Sequence, residues 1–190
     1  MNRLIDTLRG EHANHENLLR VLERQLDAED GPDFDIVEAI VEYFLTYPVV
    51  RHHPLENLIF DRLRMRDPSA IAKIGDLEHE HADEQAWMRA FAGALTSAKG
   101  SGVVRRDVFT ETAAAFIQLQ RAHIAKEEDW FFPAALAALT ERDWRDIKRQ
   151  APGDETGDPF FGGDVVGRLA LLRRQILRWD EEDRGHLTLQ

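Results

Sequence analysis

The chain contains no cysteine. A disulfide framework, thiolate zinc sites, cysteine-ligated iron–sulfur clusters and cysteine nucleophiles are therefore excluded. Positive charge is in short supply: 24 Lys+Arg stand against 35 Asp+Glu, for a formal charge of -11. No basic face able to neutralise phosphates is visible, which argues against nucleic acid as a partner. No run approaches the roughly 20 apolar residues needed to span a bilayer, so no membrane partner is expected. The first residues, Met1 to Asp6, carry charge and lack an apolar segment, so no signal peptide is visible and a cytoplasmic location is the expectation. There is no nucleophilic triad, P-loop or dinucleotide fingerprint. Gly100-Ser101-Gly102 is too short and misplaced for a phosphate loop, and Gly162-Gly163 reads as a plain loop and cap.

Alternating Val/Ile/Thr stretches are also missing, and helical periodicity takes their place. The 190 residues, 43% hydrophobic and 31% charged, suit a soluble globular domain with an appendage. Leu4, Leu8, His12, His15, Leu19, Leu22 and Leu26 form one stripe at steps of three and four. Gly31-Pro32 stops it, and Asp33 caps a second segment carrying Ile36, Ile40, Val41, Phe44 and Leu45. Pro48 and Pro54 predict a kink or break before His52, Glu56, Ile59 and Leu63 resume the stripe. Asp67-Pro68 opens a third segment through Ile71, Ile74, Leu77, His81, Glu84, Met88, Phe91 and Leu95. After a loop at 99–102, the fourth carries Phe109, Ala113, Phe116, Gln120, His123, Glu127, Trp130 and Ala134.

Four long helices with short connections predict an all-α, antiparallel up-down-up-down four-helix bundle over residues 1–139. Residues 140–190 read as a C-terminal helical extension. Thr140 to Asp143 resembles a capping box, Pro152 to Gly163 reads as a loop, and a last helix is expected from Asp164 to about Asp183. That extension is expected to pack on the bundle or on a partner chain, the second giving a homo-oligomer.

The informative oddity is which polar residues fall on the apolar stripes. Each of the four helices places a histidine there, and two add a glutamate one turn later: His52 with Glu56, and His123 with Glu127. Residues four apart share a helix face, so each pair can offer an imidazole nitrogen and a carboxylate oxygen to one inward point. His79 and Asp83 share that spacing but lie off the stripe, and read as solvent-facing; Glu16, four after His12, sits at a stripe edge. A single inward histidine is ordinary core chemistry. Four with two glutamates demand compensation, either from a hydrogen-bonded network or from a metal. Mixed imidazole and carboxylate donors suit iron, manganese or zinc rather than calcium or magnesium. Six donors exceed the needs of one tetrahedral zinc, and two metals bridged by the carboxylates would use them better.

These residues resemble the hemerythrin-like HHE cation-binding domain family from about Leu4 to Leu136. The landmarks appear in order: Glu11-His12 with Leu18-Leu19; His52-His53-Pro54-Leu55-Glu56, close to the signature His-His-Pro-x-Glu; Leu77-x-x-Glu80-His81; and His123 to Glu128 followed by Phe131-Phe132-Pro133. The resemblance implies two non-haem iron ions with an oxo or hydroxo bridge, zinc or manganese being substitutes. Carried over, His12, His52, His81 and His123 would be terminal ligands, Glu56 and Glu127 would bridge, and His53 would either support the ligands from behind or be structural. Oxygen-carrying hemerythrins have a further histidine one turn away on the third helix. Here Leu77 and Gln85 stand at those places. His15 is the available substitute, though packing within the core is the favoured reading for it. An incomplete shell suits reactive chemistry better than reversible oxygen storage.

Two functions compete. One is a di-iron protein that binds or reacts with a small diatomic or peroxide ligand (oxygen, peroxide or nitric oxide), shielded by Phe44, Phe60, Trp130 and Phe132. The other is an iron- or oxygen-sensing regulatory module without turnover. A ferritin-like carboxylate oxidase fits less well, since Glu78-x-x-His81 matches its motif but the fourth helix has Gln120-x-x-His123.

Overall fold

The computed structural model describes residues 2–100, 106–152 and 173–174, and among them every regular element is a helix. The expected loop at 152–163 and the terminal helix lie outside the described residues, save Pro152 and the helical Arg173 and Arg174. Helix α1 runs Arg3–Leu26, with the Asn2 side chain accepting from the Leu4 N–H. Gly31, at φ 87°, takes a left-handed turn that a Cβ would disfavour, and Asp33 then caps α2 (Phe34–Tyr47) by accepting from the Asp35 and Ile36 amides.

Pro48 opens a π turn, and the two prolines that follow such turns, Pro54 and Pro133, do not break the helices. Each produces a wider turn. Pro54 has no N–H to give the carbonyl four residues back, and the His53 N–H bonds instead to Pro48 O, five residues back. This π turn (Pro48–His52) joins α2 to α3 (His53–Arg66). Pro133 does the same on the last long helix: the Phe132 N–H bonds to Glu127 O, and a π turn (Glu127–Phe131) precedes Pro133's own segment. The extra residue slips the inward stripe by one. Phe131, Phe132 and Ala135 are buried, while Trp130, placed on the stripe by a regular 3.6-residue period, is 56% exposed. It is not part of the site's shield.

One break has no proline behind it. The expected third helix divides at Gly75, whose φ of 89° ends α4 (Pro68–Ile74). Asp76 then accepts from the His79 amide as α5 (Leu77–Gly100) begins. Next come α6 (Arg106–Lys126), α7 (Phe132–Ala138) and α8 (Glu141–Gln150). Helix α1 packs on α2 and α6, and α5 packs on the same two, so the four close a ring. No helix among the described residues is long and apolar enough to cross a membrane.

The core is divided. One apolar cluster gathers Leu18, Leu22, Ile40, Phe44, Phe91, Phe109 and Phe116. A second gathers Ile5, Leu8, Ile59, Phe60, Leu77, Phe131 and Phe132. Between them in sequence come buried polar residues: Glu11, His12 and His15 on α1, His52, His53 and Glu56 where the first π turn meets α3, His81 and Glu84 on α5, and Gln120, His123 and Glu127 where α6 meets the second π turn.

Helix α8 packs on α3 and sends Ile147 into the second cluster, with Trp144 against it. Its capping box forms: Asp143 accepts from the Thr140 amide while the Asp143 amide donates to Thr140 Oγ1. Asp143, fully buried, also accepts from Arg62 at 3.1 Å and from two nitrogens of Arg66 at 2.9 Å. Arg66 foremost, then Thr140, holds this carboxyl well below the usual carboxylate range, against the effect of burial. Its folded value is depressed, so its contribution is whole above an unfolded pKa of about 4 and fades as pH falls below that. Asp143→Ala is expected to lower stability by about 2 kcal/mol at neutral pH, the loss of a cap and a charge-assisted pair. Urea unfolding should show the gap to wild type narrowing towards about pH 3. A gap independent of pH would assign the loss to packing alone.

Candidate metal centre

The structure brings the six expected residues to one place. Four donor atoms from His12, His52, Glu56 and Glu127 lie within 4.8 Å of one another, and so do four from Glu56, His81, His123 and Glu127. Both groups are wholly buried, and both contain the same two glutamates.

The glutamates divide their oxygens between the groups. Glu56 Oε1 lies 3.1 Å from His52 Nε2 and 3.5 Å from His12 Nε2, while its Oε2 lies 3.5 Å from His81 Nε2. Glu127 Oε2 lies 3.2 Å from His12 Nε2, while its Oε1 lies 3.2 Å from His123 Nε2 and 3.8 Å from His81 Nε2. Donors about 2.1 Å from one ion stand about 3.0–3.4 Å apart, so these spacings fit two cations side by side. None of the four glutamate oxygens has a hydrogen bond, nor do His81 Nε2 and His123 Nε2. Among the described residues, every buried side-chain nitrogen or oxygen without a partner belongs to this polar layer. Orphan donors concentrated at one point are what a metal would satisfy.

All four inward nitrogens are Nε2, because each Nδ1 is engaged on the outside. His12 Nδ1 meets Glu128 at 2.9 Å, His52 Nδ1 meets Glu11 at 2.7 Å, His81 Nδ1 meets Asn57 at 3.0 Å, and His123 Nδ1 meets Glu80 at 3.3 Å. Tyr47 donates to the other oxygen of Glu11 at 2.8 Å. These outer acceptors escaped the sequence reading, although each is the immediate neighbour of a site residue. Consecutive helical residues diverge by about 100°, so the neighbour of an inward residue points towards the next helix. Glu11 serves the histidine of α2–α3, Asn57 that of α5, Glu80 that of α6, and Glu128 that of α1.

The field of the site favours positive charge. Burial pushes His12 down, but Glu127, Glu128 and Glu56 outweigh it and raise His12 to about 12. Burial likewise opposes, and the carboxylates overcome it, at His52 and His81, both raised to about 9, and at His123, raised well above its ordinary value. Glu56 and Glu127 are held well below the carboxylate range despite burial, by His52 and His12 around the first and by His123 and His12 around the second.

Two further histidines are shifted the opposite way. His53 is stacked on His81 with centroids 4.1 Å apart, and burial and then His81 push its pKa well down. His15 belongs to neither group: it lies among Tyr43, Phe44 and His52, and burial and His52 lower it far below its ordinary value. Phe132 stacks on His12 at 5.3 Å and closes that side, and Phe44 and Phe60 are buried as expected. His79 and Asp83 face solvent. Glu84 is buried within the layer, 3.4 Å from His53 and 3.5 Å from His123, and the sequence reading gave it no place in the site.

The hemerythrin HHE cation-binding domain family model matches residues 3–135. No curated protein and no solved structure matches the chain.

Proposed function

Because the chain belongs to the hemerythrin HHE cation-binding domain family, we propose that it holds two iron ions within an antiparallel four-helix bundle and binds or reacts with a small oxidant. His12 and His52 would hold one ion and His81 and His123 the other, with Glu56 and Glu127 available to both. The observation that carries this is the division of each glutamate's oxygens between the two histidine pairs.

When bound, the pair of irons would supply redox chemistry towards oxygen, peroxide or nitric oxide. The protein's own residues do the rest. Glu11, Asn57, Glu80 and Glu128 accept from the outer Nδ1–H groups, which fixes each ring's orientation and leaves an Nε2 lone pair pointing inward. Phe44 in one apolar cluster and Phe60 and Phe132 in the other keep bulk water from the layer on its two sides. The buried carboxylates supply negative charge that the interior tolerates when cations balance it.

Protein produced with ample iron is expected to contain about two irons per chain, with an absorption band that responds to oxygen or peroxide. A folded, iron-free product, or one that takes zinc alone and shows no such response, would overturn the reading.

A further inference from the structure

Glu84 is the unexplained carboxyl of the layer. It is 3% exposed, and neither of its oxygens has a hydrogen bond. Its nearest basic atoms are His53 Nε2 at 3.4 Å from Oε2 and His123 Nε2 at 3.5 Å from Oε1. A carboxylate buried without a donor is heavily penalised, and a hydrogen-bonded neighbour would have relieved it. The separation of Oε1 from His123 equals the 3.5 Å at which Glu56 meets His12 and His81. Glu84 follows His81 by three residues on α5, so both project to one face of that helix.

The two halves of the site also differ in what surrounds them. The His12 side is covered by Phe132. On the other side, a cavity of about 320 Å³ lies between α5 and α6, lined by Glu80, Asp83, Glu84, Leu119, His123 and Lys126 among others. Glu84 and His123 are thus the points at which this cavity meets the polar layer.

Resting on the two-iron reading above, we propose that Glu84 is a third carboxylate ligand, held by the cation of His81 and His123, at the coordination position that opens on the α5–α6 cavity. As a carboxylate it is a displaceable anion. A small anion arriving through the cavity therefore competes with Glu84. Two divalent cations facing Glu56, Glu127 and Glu84 also leave less excess charge buried than two facing the bridging pair alone.

The test uses iron-loaded full-length protein, with azide as the probe. Glu84→Ala is expected to bind azide about tenfold more tightly, read from the absorption change. It should also surrender one of its irons to a chelator about tenfold more readily, as loss of a ligand-shell group does. Glu84→Gln, which keeps the shape, should shift both in the same direction and guards against a packing defect. Asp83→Asn removes a charge from the same cavity wall without touching His123 and should leave both unchanged. Equal azide affinity and iron retention in wild type and both Glu84 variants would overturn the assignment. So would an equal shift in Asp83→Asn, which would make the effect one of cavity charge. If wild type itself takes up no iron, the two-iron reading fails; if wild type loads normally and the Glu84 variants match it, Glu84 alone has been misassigned.

Discussion

Glu127→Ala is expected to empty both metal positions, taking iron from about two per chain to near none, while His12→Ala should leave about one. The difference follows from membership. His12 belongs to one group of donors, whereas Glu127 belongs to both. It follows also from charge. Two divalent ions about 3.5 Å apart repel by about 20 kcal/mol at an effective dielectric constant of about 20. Anions between them must offset that, and the structure offers Glu56 and Glu127 for the task. With one gone, neither ion is well held. The imidazoles lose their partner as well, since Glu127 is a leading support for the raised affinity of His12 and His123 for positive charge. Metal analysis of purified variants checks this, with far-ultraviolet circular dichroism of the metal-free forms to show that each variant folds. A Glu127→Ala protein that kept one tightly held iron would show that the carboxylate serves one ion rather than bridging two.

Much of this site can be read from the chain because its signals are local. His52 and Glu56, or His123 and Glu127, need only one helical turn to meet, and a polar pair on an apolar stripe stands out. The outer shell is different in kind. Glu11 finds His52 41 positions away and Glu128 finds His12 116 positions away, so their partners depend on which helices are neighbours. Their sequence signal was adjacency to a site residue, which becomes meaningful once a ring of four helices is in place. The errors were errors of register. Pro133 was visible, but a proline can kink, end or widen a helix, and the widening that occurs here moves Trp130 out and Phe131 in. Gly75 lay inside a good apolar period and gave no sign, from periodicity alone, of the left-handed turn that separates α4 from α5. Glu84 falls on the α5 stripe, and a stripe position says where a side chain points without saying what meets it.

The same layer that organises the site weakens the fold when no metal is present. It interrupts the core, with one apolar cluster on each side of it. Glu56, Glu127, Glu84, His81 and His123 all bury polar atoms without hydrogen-bond partners there. Such atoms cost about 1–3 kcal/mol each, and more when charged, so the metal-free protein gives up a large part of its stability at this one level. Cations convert the deficit into bonds. At a free metal concentration 1,000 times the dissociation constant, linkage adds about 4 kcal/mol for one site. For a domain of this size that raises the melting temperature by about 10 °C, and more if both positions fill. Calorimetry of iron-loaded and chelator-stripped protein is expected to show this rise, and re-addition of iron should restore it. Hydrogen exchange should localise the change. Amides flanking His52–Glu56 and His123–Glu127 should gain protection first, because those turns carry the two glutamates common to both donor groups and adjoin the π-type hydrogen bonds. Equal melting temperatures with and without metal would mean that the histidines and glutamates satisfy one another as a polar network, and that cation binding is not what the layer is built for.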